Sequence, residues 1–240
     1  ACDAHLRPDL LMAAWRQRLE ERGVEFREQC EFVDFVSGGN SAGEKRASQP
    51  SAGADATTIR TSTGDIQADV FVVAAGVWTG RLGQVLGASL PIQPGKGYSL
   101  TLPRPKLQLQ VPVILPERRV VLTPFEQGLR LGSIMEFAGY DSSIRPRRLK
   151  LLTAAAGEFL REPPAADAPA EPWYGWRPMT YDSLPVIDRA PQFSNVYVAA
   201  GHNMLGLTLA TGTGELIASL VCGTRPEVET GPYALKRFGK

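Results

Sequence analysis

Cysteine and histidine are scarce in this chain of 240 residues, and their spacing excludes several classes of site. Three cysteines (Cys2, Cys30 and Cys222) lie far apart and form no CxxC pair, so we predict neither a zinc site nor a disulfide framework and expect a reducing, cytoplasmic setting. The two histidines, His5 and His202, stand at opposite ends of the chain. Because no cluster of metal ligands and no catalytic-triad pattern is recognised, zinc and hydrolytic chemistry are poorly supported and no metal site is predicted.

Long apolar runs and an excess of one charge are also missing. No stretch approaches about 18 consecutive apolar residues, so no membrane-spanning helix is predicted, and no signal peptide is recognised. The net charge is +1 with both signs mixed along the chain, whereas nucleic-acid binding needs a clustered basic field. The densest basic run, RPRRLK at 145–150, is more typical of the start of a solvated helix. Nucleic acid is therefore not expected as a partner.

The chain does contain an alternation of strand-like and helix-like segments, which predicts an α/β (α+β) fold. An amphipathic helix is predicted at 7–23, short antiparallel strands punctuated by proline and glycine from 91 to 137, and strand followed by helix in the last third. We expect 1–93 and 181–240 to form one discontinuous domain and 94–180 to form a β-rich domain beside it. A cleft between two such domains is a usual place for a small ligand.

The run Val70–Ala75 is apolar on both faces. This pattern predicts a strand in the middle of a sheet that helices cover. The run ends in Ala74, Ala75 and Gly76, and small residues at the carboxyl end of such a strand let a cofactor come near the backbone. Taken alone the signal is weak, since every α/β protein has such turns.

The stretch AAGHNMLGLTLATGTGEL (199–216) follows another apolar strand and predicts a turn leading into a helix at about 205–220. The first turn of a helix presents unpaired N–H groups and a partial positive charge, which stabilise a phosphate or a ring that gains negative charge. Gly201 and Gly206 would let a flat ligand lie close to the backbone, although a tight turn of small residues packed for structure explains the spacing equally well. His202 fits a base or, more often, a hydrogen-bonded structural histidine.

The stretch WYGWRPMTYDSLPVID (173–188) places Arg177 among aromatic residues. An arginine in apolar surroundings needs an anion, and a carboxylate accepts its planar fork through two hydrogen bonds. An internal salt bridge, or a cation–π contact with Trp173 or Trp176, explains the residue equally well.

Four stretches occur together in an order that resembles a known family: GDIQADVFVVAAGVWTGRL, IQPGKGYSLTLP, GWRPMTYDSLPVIDRAP and NVYVAAGHNMLGLTLATGTGELIASL. They resemble the FAD-dependent D-amino-acid oxidase and dehydrogenase family, most closely its D-amino-acid dehydrogenase small subunits. The resemblance implies an FAD-binding layered domain with an inserted antiparallel substrate domain. It also implies non-covalent FAD and oxidation of a small amino acid by hydride transfer from the α-carbon to flavin N5.

The resemblance assigns roles to particular residues. It implies that Arg177 clamps the substrate carboxylate, that Phe32 contacts the adenine side through its backbone, and that Lys96 and Tyr98 face the substrate or flavin side of the insertion. The remaining implied cofactor contacts are Ala74, Ala75 and Gly76 at the strand end, and Gly201, His202, Asn203, Met204, Leu205, Gly206, Leu207 and Thr208 at the turn and helix start under the flavin.

The chain departs from the family in two respects. The strand, GxGxxG turn and helix that hold the FAD pyrophosphate are absent, so we expect the chain to be a C-terminal portion. Asn203, Ser183 and Asp188 stand where relatives commonly have glycine, which leaves their effect on subfamily and substrate open.

Three functions follow from the resemblance and its limits. The first is a D-amino-acid dehydrogenase-like flavoprotein that passes electrons to an acceptor such as a quinone, cytoplasmic or peripheral to the inner face of the membrane. The second is a glycine- or sarcosine-oxidase-like enzyme that uses oxygen. The third is a truncated module that does not bind FAD alone and is inactive.

Overall fold

The structure, a computed structural model, describes residues 6–37, 53–103, 109–126, 128–162 and 170–239. Its α-helices are α1 Pro8–Glu20, α2 Gly83–Leu86, α3 Pro146–Phe159 and α4 Gly206–Cys222, and short 3-10 helices span Gly76–Leu82, Gly231–Tyr233 and Leu235–Phe238. The strands are β1 Phe32–Ser37, β2 Ala56–Thr61, β3 Gly64–Gln67, β4 Phe71–Val73, β5 Gln93–Pro103, β6 Val113–Leu115, β7 Val120–Phe125, β8 Gly128–Glu136, β9 Glu171–Met179, β10 Val186–Arg189 and β11 Val196–Ala200. This mixture confirms the predicted fold class.

The described strands form three sheets. The first is antiparallel, in the order β1-β2-β3, and the second has the order β10-β11-β4, in which β11 and β4 run parallel. The third is a five-stranded antiparallel sheet in the order β6-β7-β8-β5-β9. Its longest strand, β5, has 11 residues and lies between β8 and β9, so it sets the register of β9, the strand that carries Arg177.

Two hydrophobic cores hold these sheets. The first joins the two smaller sheets, where the Phe35 ring lies 5.7 Å from Phe71 and 5.0 Å from Phe193 between centroids. The second lies between the five-stranded sheet and α3, whose buried residues Leu152 and Ala156 recur at helical spacing. The predicted domain boundaries at 93/94 and 180/181 stay predictions.

Helix α1 begins with Pro8 in its first turn, where a missing N–H is harmless. The amphipathic pattern predicts a buried stripe, but no residue of α1 is buried, and Leu10 is 60% exposed. Leu11 and Trp15 are half-buried, so the described residues cover only part of the apolar side of this helix. None of the helices in the described ranges is long and apolar enough to cross a membrane.

Strand β4 differs from its prediction as the centre of a sheet. It pairs with β11 on one side and forms the edge of its sheet in the described part of the chain. Val72 consequently stays 46% exposed and Val70 39% exposed. The apolar pattern of this strand predicts burial on two faces, and the described residues cover only part of it.

Candidate functional site

The carboxyl ends of β4 and β11 form one edge of the second sheet. The strands are parallel with Val73 opposite Val198, so the turn at Ala74, Ala75 and Gly76 leaves the sheet beside the turn that follows Ala200. Both turns use a left-handed glycine, Gly76 with φ 54° and Gly201 with φ 77°. The structure thus brings together two of the segments in which we expect cofactor contacts.

Gly201 is required for a second reason besides its φ. A methyl group added there would lie 2.8 Å from Cγ2 of Thr180, which follows the end of β9. At Gly76 the same methyl would meet open space. The close approach at Gly201 packs the turn after β11 against the end of β9, the strand that carries Arg177.

No side chain accepts a hydrogen bond from the backbone N–H groups at the start of helix α4. It starts at Gly206, and no side chain caps its first turn, so the N–H groups of Gly206, Leu207 and Thr208 have no intrahelical acceptor. The apolar side chains beside this turn are largely exposed, with Met204 at 67% and Leu205 at 52%. An uncapped helix start with flanking apolar side chains fits a planar, apolar ring whose edge gains negative charge, as the flavin of FAD does.

His202 lies in the same turn, but its ring is engaged. Its Nε2 forms a 2.9 Å hydrogen bond with the hydroxyl of Thr213, two turns along α4. Burial lowers the pKa of His202, so the imidazole is neutral at neutral pH. This contact supports the structural interpretation of His202, in which it fixes the turn against the helix.

Asn203 connects the turn to β9. The residue is buried and has φ 55°, a left-handed conformation that asparagine tolerates better than other residues with a side chain. Its N–H donates to the carbonyl of Pro178 at 3.0 Å. Its side-chain amide accepts from the N–H of Thr180 at 3.1 Å and donates to the hydroxyl of Thr180 at 3.0 Å and to the carbonyl of Gly201 at 2.9 Å. The side chain of Asn203 therefore connects the turn after β11 to the end of β9 through hydrogen bonds inside the protein.

The hydrogen bonds of the Asn203 side chain predict how much its substitution lowers the stability of the fold. Asn203→Ala loses three side-chain hydrogen bonds and places alanine in a left-handed conformation, so we expect a loss of about 3 kcal/mol in the free energy of unfolding. Asn203→Gly loses the same bonds without the backbone strain and should lose about 1 kcal/mol less. Urea unfolding of both variants measures the difference. Equal stability of the two would contradict the strained conformation.

The other two substituted glycine positions have separate explanations. Ser183 has φ 62°, which accounts for a preference for glycine at this position. Asp188 lies in β10, where its carboxylate accepts from the N–H of Leu235 and of Arg189, both at 2.8 Å. The carboxylate of Asp188 therefore binds backbone donors of its own strand and the C-terminal segment.

Arg177 lies on one face of the five-stranded sheet. In the register of β5 and β9, Gly95 is opposite Arg177 and Gly97 is opposite Gly175, and the guanidinium crosses onto Gly97. A methyl group at Gly97 would overlap Nη1 of Arg177. Glycine at this position therefore provides the bare backbone on which the guanidinium lies.

The guanidinium of Arg177 has no anionic partner among the described residues. Its recorded contact is Nη1 to the sulfur of Met135 at 3.9 Å, and it takes part in no ion pair or cation–π contact in the described ranges. The group is half-buried, and this burial lowers its pKa, although arginine stays protonated at neutral pH. Neither alternative explanation of Arg177 is found in the described part of the chain, which favours a bound anion.

Lys96 and Tyr98 lie on the opposite face, contrary to the expectation that they face the substrate or flavin. Both are fully buried, since Lys96 is 0% and Tyr98 1% exposed. The ammonium of Lys96 donates to the carbonyls of Asp141 and Ser143 at 2.8 and 2.9 Å, and Tyr98 donates to Glu136. Side chains alternate between faces along β5, so these two groups are separated from Arg177 by the sheet itself. Lys96 thus holds the segment after β8, and Tyr98 holds the last residue of β8.

Phe32 lies in the first strand of the antiparallel sheet β1-β2-β3. Its ring packs against Phe35 at 4.9 Å between centroids, in the core that joins the two smaller sheets. The sequence-based assignment did not include the residues that surround Arg177. The signal for these residues is a pair of glycines two positions apart, Gly95 and Gly97, which predicts that one face of this strand carries no side chains there.

The strand that carries Arg177 contacts the turn before α4. Pro178, the residue after Arg177, accepts the hydrogen bond from Asn203 at 3.0 Å. The strand residue next to Arg177 is therefore hydrogen-bonded to the turn that precedes α4.

Comparison with known proteins follows this geometry. A family model described as FAD dependent oxidoreductase (DAO) matches residues 1–220. The D-amino acid dehydrogenase of Granulibacter bethesdensis is 33% identical over 221 residues, which cover 91% of this chain and 49% of that protein. The D-amino acid dehydrogenase of Vibrio vulnificus is 36% identical over 182 residues, with coverage of 75% and 43%. The chain spans about half the length of the curated relatives it matches.

Solved structures show the same fold. Glycine oxidase from Geobacillus kaustophilus superposes with a TM-score of 0.77 at 27% identity, covering 95% of this chain and 57% of that one. L-proline dehydrogenase from P. horikoshii superposes with a TM-score of 0.75 at 23% identity, covering 95% and 59%, which is a likeness of fold alone. With its family model matched over most of its length, the chain belongs to the DAO family of FAD-dependent oxidoreductases.

Proposed function

We propose that this chain is the substrate-binding and part of the FAD-binding portion of an enzyme that oxidises a D-amino acid. The observation that carries the proposal is the half-buried guanidinium of Arg177, which lies on the bare backbone of Gly97 and has no anionic partner in the described ranges. The next residue, Pro178, accepts a hydrogen bond from the N–H of Asn203, in the turn that leads into the uncapped start of α4. A cation that lacks an internal partner, beside a turn open to an anionic ring edge, suits a carboxylate substrate and a flavin together.

Each group of the chain has a defined part in this reaction. Arg177 binds the substrate carboxylate through two parallel hydrogen bonds, which orients the α-carbon. The N–H groups of Gly206, Leu207 and Thr208 stabilise negative charge at the ring edge. FAD, when bound, supplies the chemistry by accepting a hydride from the α-carbon at N5. His202 is neutral and bonded to Thr213, so the chain contributes positioning and electrostatics rather than a base.

The substrate and the acceptor are inferred from relatives. Both curated relatives described above are named D-amino acid dehydrogenase, which supports a D-amino acid and an acceptor such as a quinone. The glycine oxidase at 27% identity supports a second candidate, an oxidase that transfers electrons to oxygen. A cytoplasmic enzyme, attached peripherally to the inner membrane face, is part of the first proposal.

The test uses reconstituted protein, meaning the chain loaded with FAD either alone or joined behind the glycine-rich FAD-binding unit that the family implies. We expect D-alanine to bleach the flavin band at about 450 nm without oxygen, and L-alanine to leave it unchanged. No bleaching by any D- or secondary amino acid would contradict the proposed function. Peroxide release in air would select the oxidase, and transfer to a quinone or dye would select the dehydrogenase.

The binding of FAD is measured separately from turnover. A ligand that binds the folded state raises the unfolding temperature, so added FAD should stabilise the reconstituted protein against heat. Protein that stays colourless and gains no thermal stability from FAD would instead support an inactive module.

A further inference from the structure

A largely exposed indole lies beside the Arg177 guanidinium. Trp173, Gly175 and Arg177 alternate along β9, so their side chains share one face of the sheet. The indole of Trp173 leans over Gly175, where a methyl group would lie 3.0 Å from Cζ2. The guanidinium crosses onto Gly97, which is paired with Gly175. The two groups therefore lie on directly opposed glycines, whose Cα atoms are about 5 Å apart in an antiparallel pair.

Two methionine side chains lie near this pair of side chains, and the polar residue paired with Trp173 is buried. Met135 and Met179 both approach Gly95 on the same face, where a methyl group would meet each of them at 2.6 Å. Ser99, the residue opposite Trp173, is buried. The indole itself is 59% exposed, although a tryptophan in a folded protein is ordinarily well covered. An aromatic plane with thioethers nearby forms a surface for an apolar group, next to a group that binds carboxylates.

We propose that Trp173, together with Met135, determines substrate specificity by contacting the substrate side chain. The inference rests on the proposed function, because it assumes that the substrate carboxylate binds Arg177. In an amino acid the side chain branches from the carbon next to the carboxylate, so a carboxylate on Arg177 places it within reach of the indole. The enzyme consequently prefers D-amino acids with aromatic or large apolar side chains, such as D-phenylalanine, over D-alanine.

Steady-state kinetics of the reconstituted protein test the preference. Trp173→Ala should lower the ratio of kcat/KM for D-phenylalanine to kcat/KM for D-alanine by about tenfold, whereas Trp173→Phe, which keeps an aromatic ring, should change it less than about threefold. Trp15→Phe, in helix α1, is the matched control and should leave the ratio unchanged. An unchanged ratio in Trp173→Ala, or an equal loss with both substrates, would overturn the proposal.

A binding measurement separates failure of this inference from failure of the proposed function. The probes are 3-phenylpropanoate and propanoate, which are the carboxylates of phenylalanine and alanine without their amines. The readout is the NMR signal of the Trp173 indole N–H in the ¹⁵N-labelled reconstituted protein. This signal is assigned by its loss in Trp173→Phe. We expect 3-phenylpropanoate to shift the signal and bind about tenfold more tightly than propanoate, and Arg177→Ala to weaken both. Equal affinity for the two probes would overturn the role of Trp173 alone. Binding of both probes unaffected by Arg177→Ala would overturn the carboxylate site as well.

Discussion

Arg177→Ala is expected to lower kcat/KM for D-alanine about 10³-fold, which corresponds to roughly 4 kcal/mol of transition-state stabilisation. The reason is the environment of the guanidinium, which is half-buried and has no anionic partner among the described residues. A carboxylate that binds there is removed from water and relies on the guanidinium for its hydrogen bonds. Arg177→Lys keeps the charge but loses the planar fork, so we expect an intermediate loss of about 10².

The same variants should fold as well as the parent protein. Burial without an anionic partner lowers the pKa of Arg177, so its charge does not stabilise the free protein. We therefore expect Arg177→Ala to change the free energy of unfolding by less than about 1 kcal/mol. Steady-state kinetics and urea unfolding measure the two quantities. An unchanged KM together with a clear loss of stability would identify a structural arginine instead.

Gly97→Ala is expected to have the second largest effect, a loss of about 10² in kcat/KM, because a displacement of about 1 Å in a positioning group has that effect on rate. The added methyl overlaps the end of the Arg177 side chain, which is flexible and can move aside. The fold should therefore remain stable while the guanidinium moves from its place on the strand. Kinetics and thermal unfolding of the reconstituted protein measure both outcomes.

Two controls make the effect of Gly97→Ala specific. Gly132→Ala, in the neighbouring strand β8, adds the same methyl where the nearest atoms are 3.9 Å away, so we expect full activity. In the Arg177→Ala background, Gly97→Ala should have no further effect, because the group that it displaces is already absent. Gly97→Ala with parental kcat/KM would show that the position of the guanidinium does not matter.

The local sequence pattern was sufficient to predict the position of several helices and strands. The helix predicted at 205–220 is α4, Gly206–Cys222, because an apolar strand, a glycine turn and an uninterrupted helical segment leave no competing assignment. The amphipathic helix at 7–23 is α1, Pro8–Glu20, but its predicted burial is not found. An apolar pattern predicts that a face of a helix or strand is buried, but it does not identify the residues that pack against that face. The same reason explains why Val70–Ala75 predicts a central strand and the structure places β4 at an edge.

The sequence does not determine on which face of the sheet each candidate side chain lies. An arginine among aromatic residues fits a bound anion, an internal salt bridge or a cation–π contact equally well, and only the structure shows that Arg177 has no ion pair or cation–π contact among the described residues. Lys96 and Tyr98 are close to Arg177 in the register of the sheet, yet they point to the opposite side. The face of a strand residue depends on register, which long-range pairing decides. Asn203 similarly required the structure, because its partners at Pro178 and Thr180 are distant in sequence.

The most direct measurement is a crystal structure of the reconstituted protein with FAD and propanoate. We expect the carboxylate to lie within hydrogen-bond distance of both terminal nitrogens of Arg177, and the flavin pyrimidine edge to face the N–H groups at the start of α4. A carboxylate bound elsewhere, or a flavin that does not contact the turn at Gly201–Thr208, would contradict the assignment of this site.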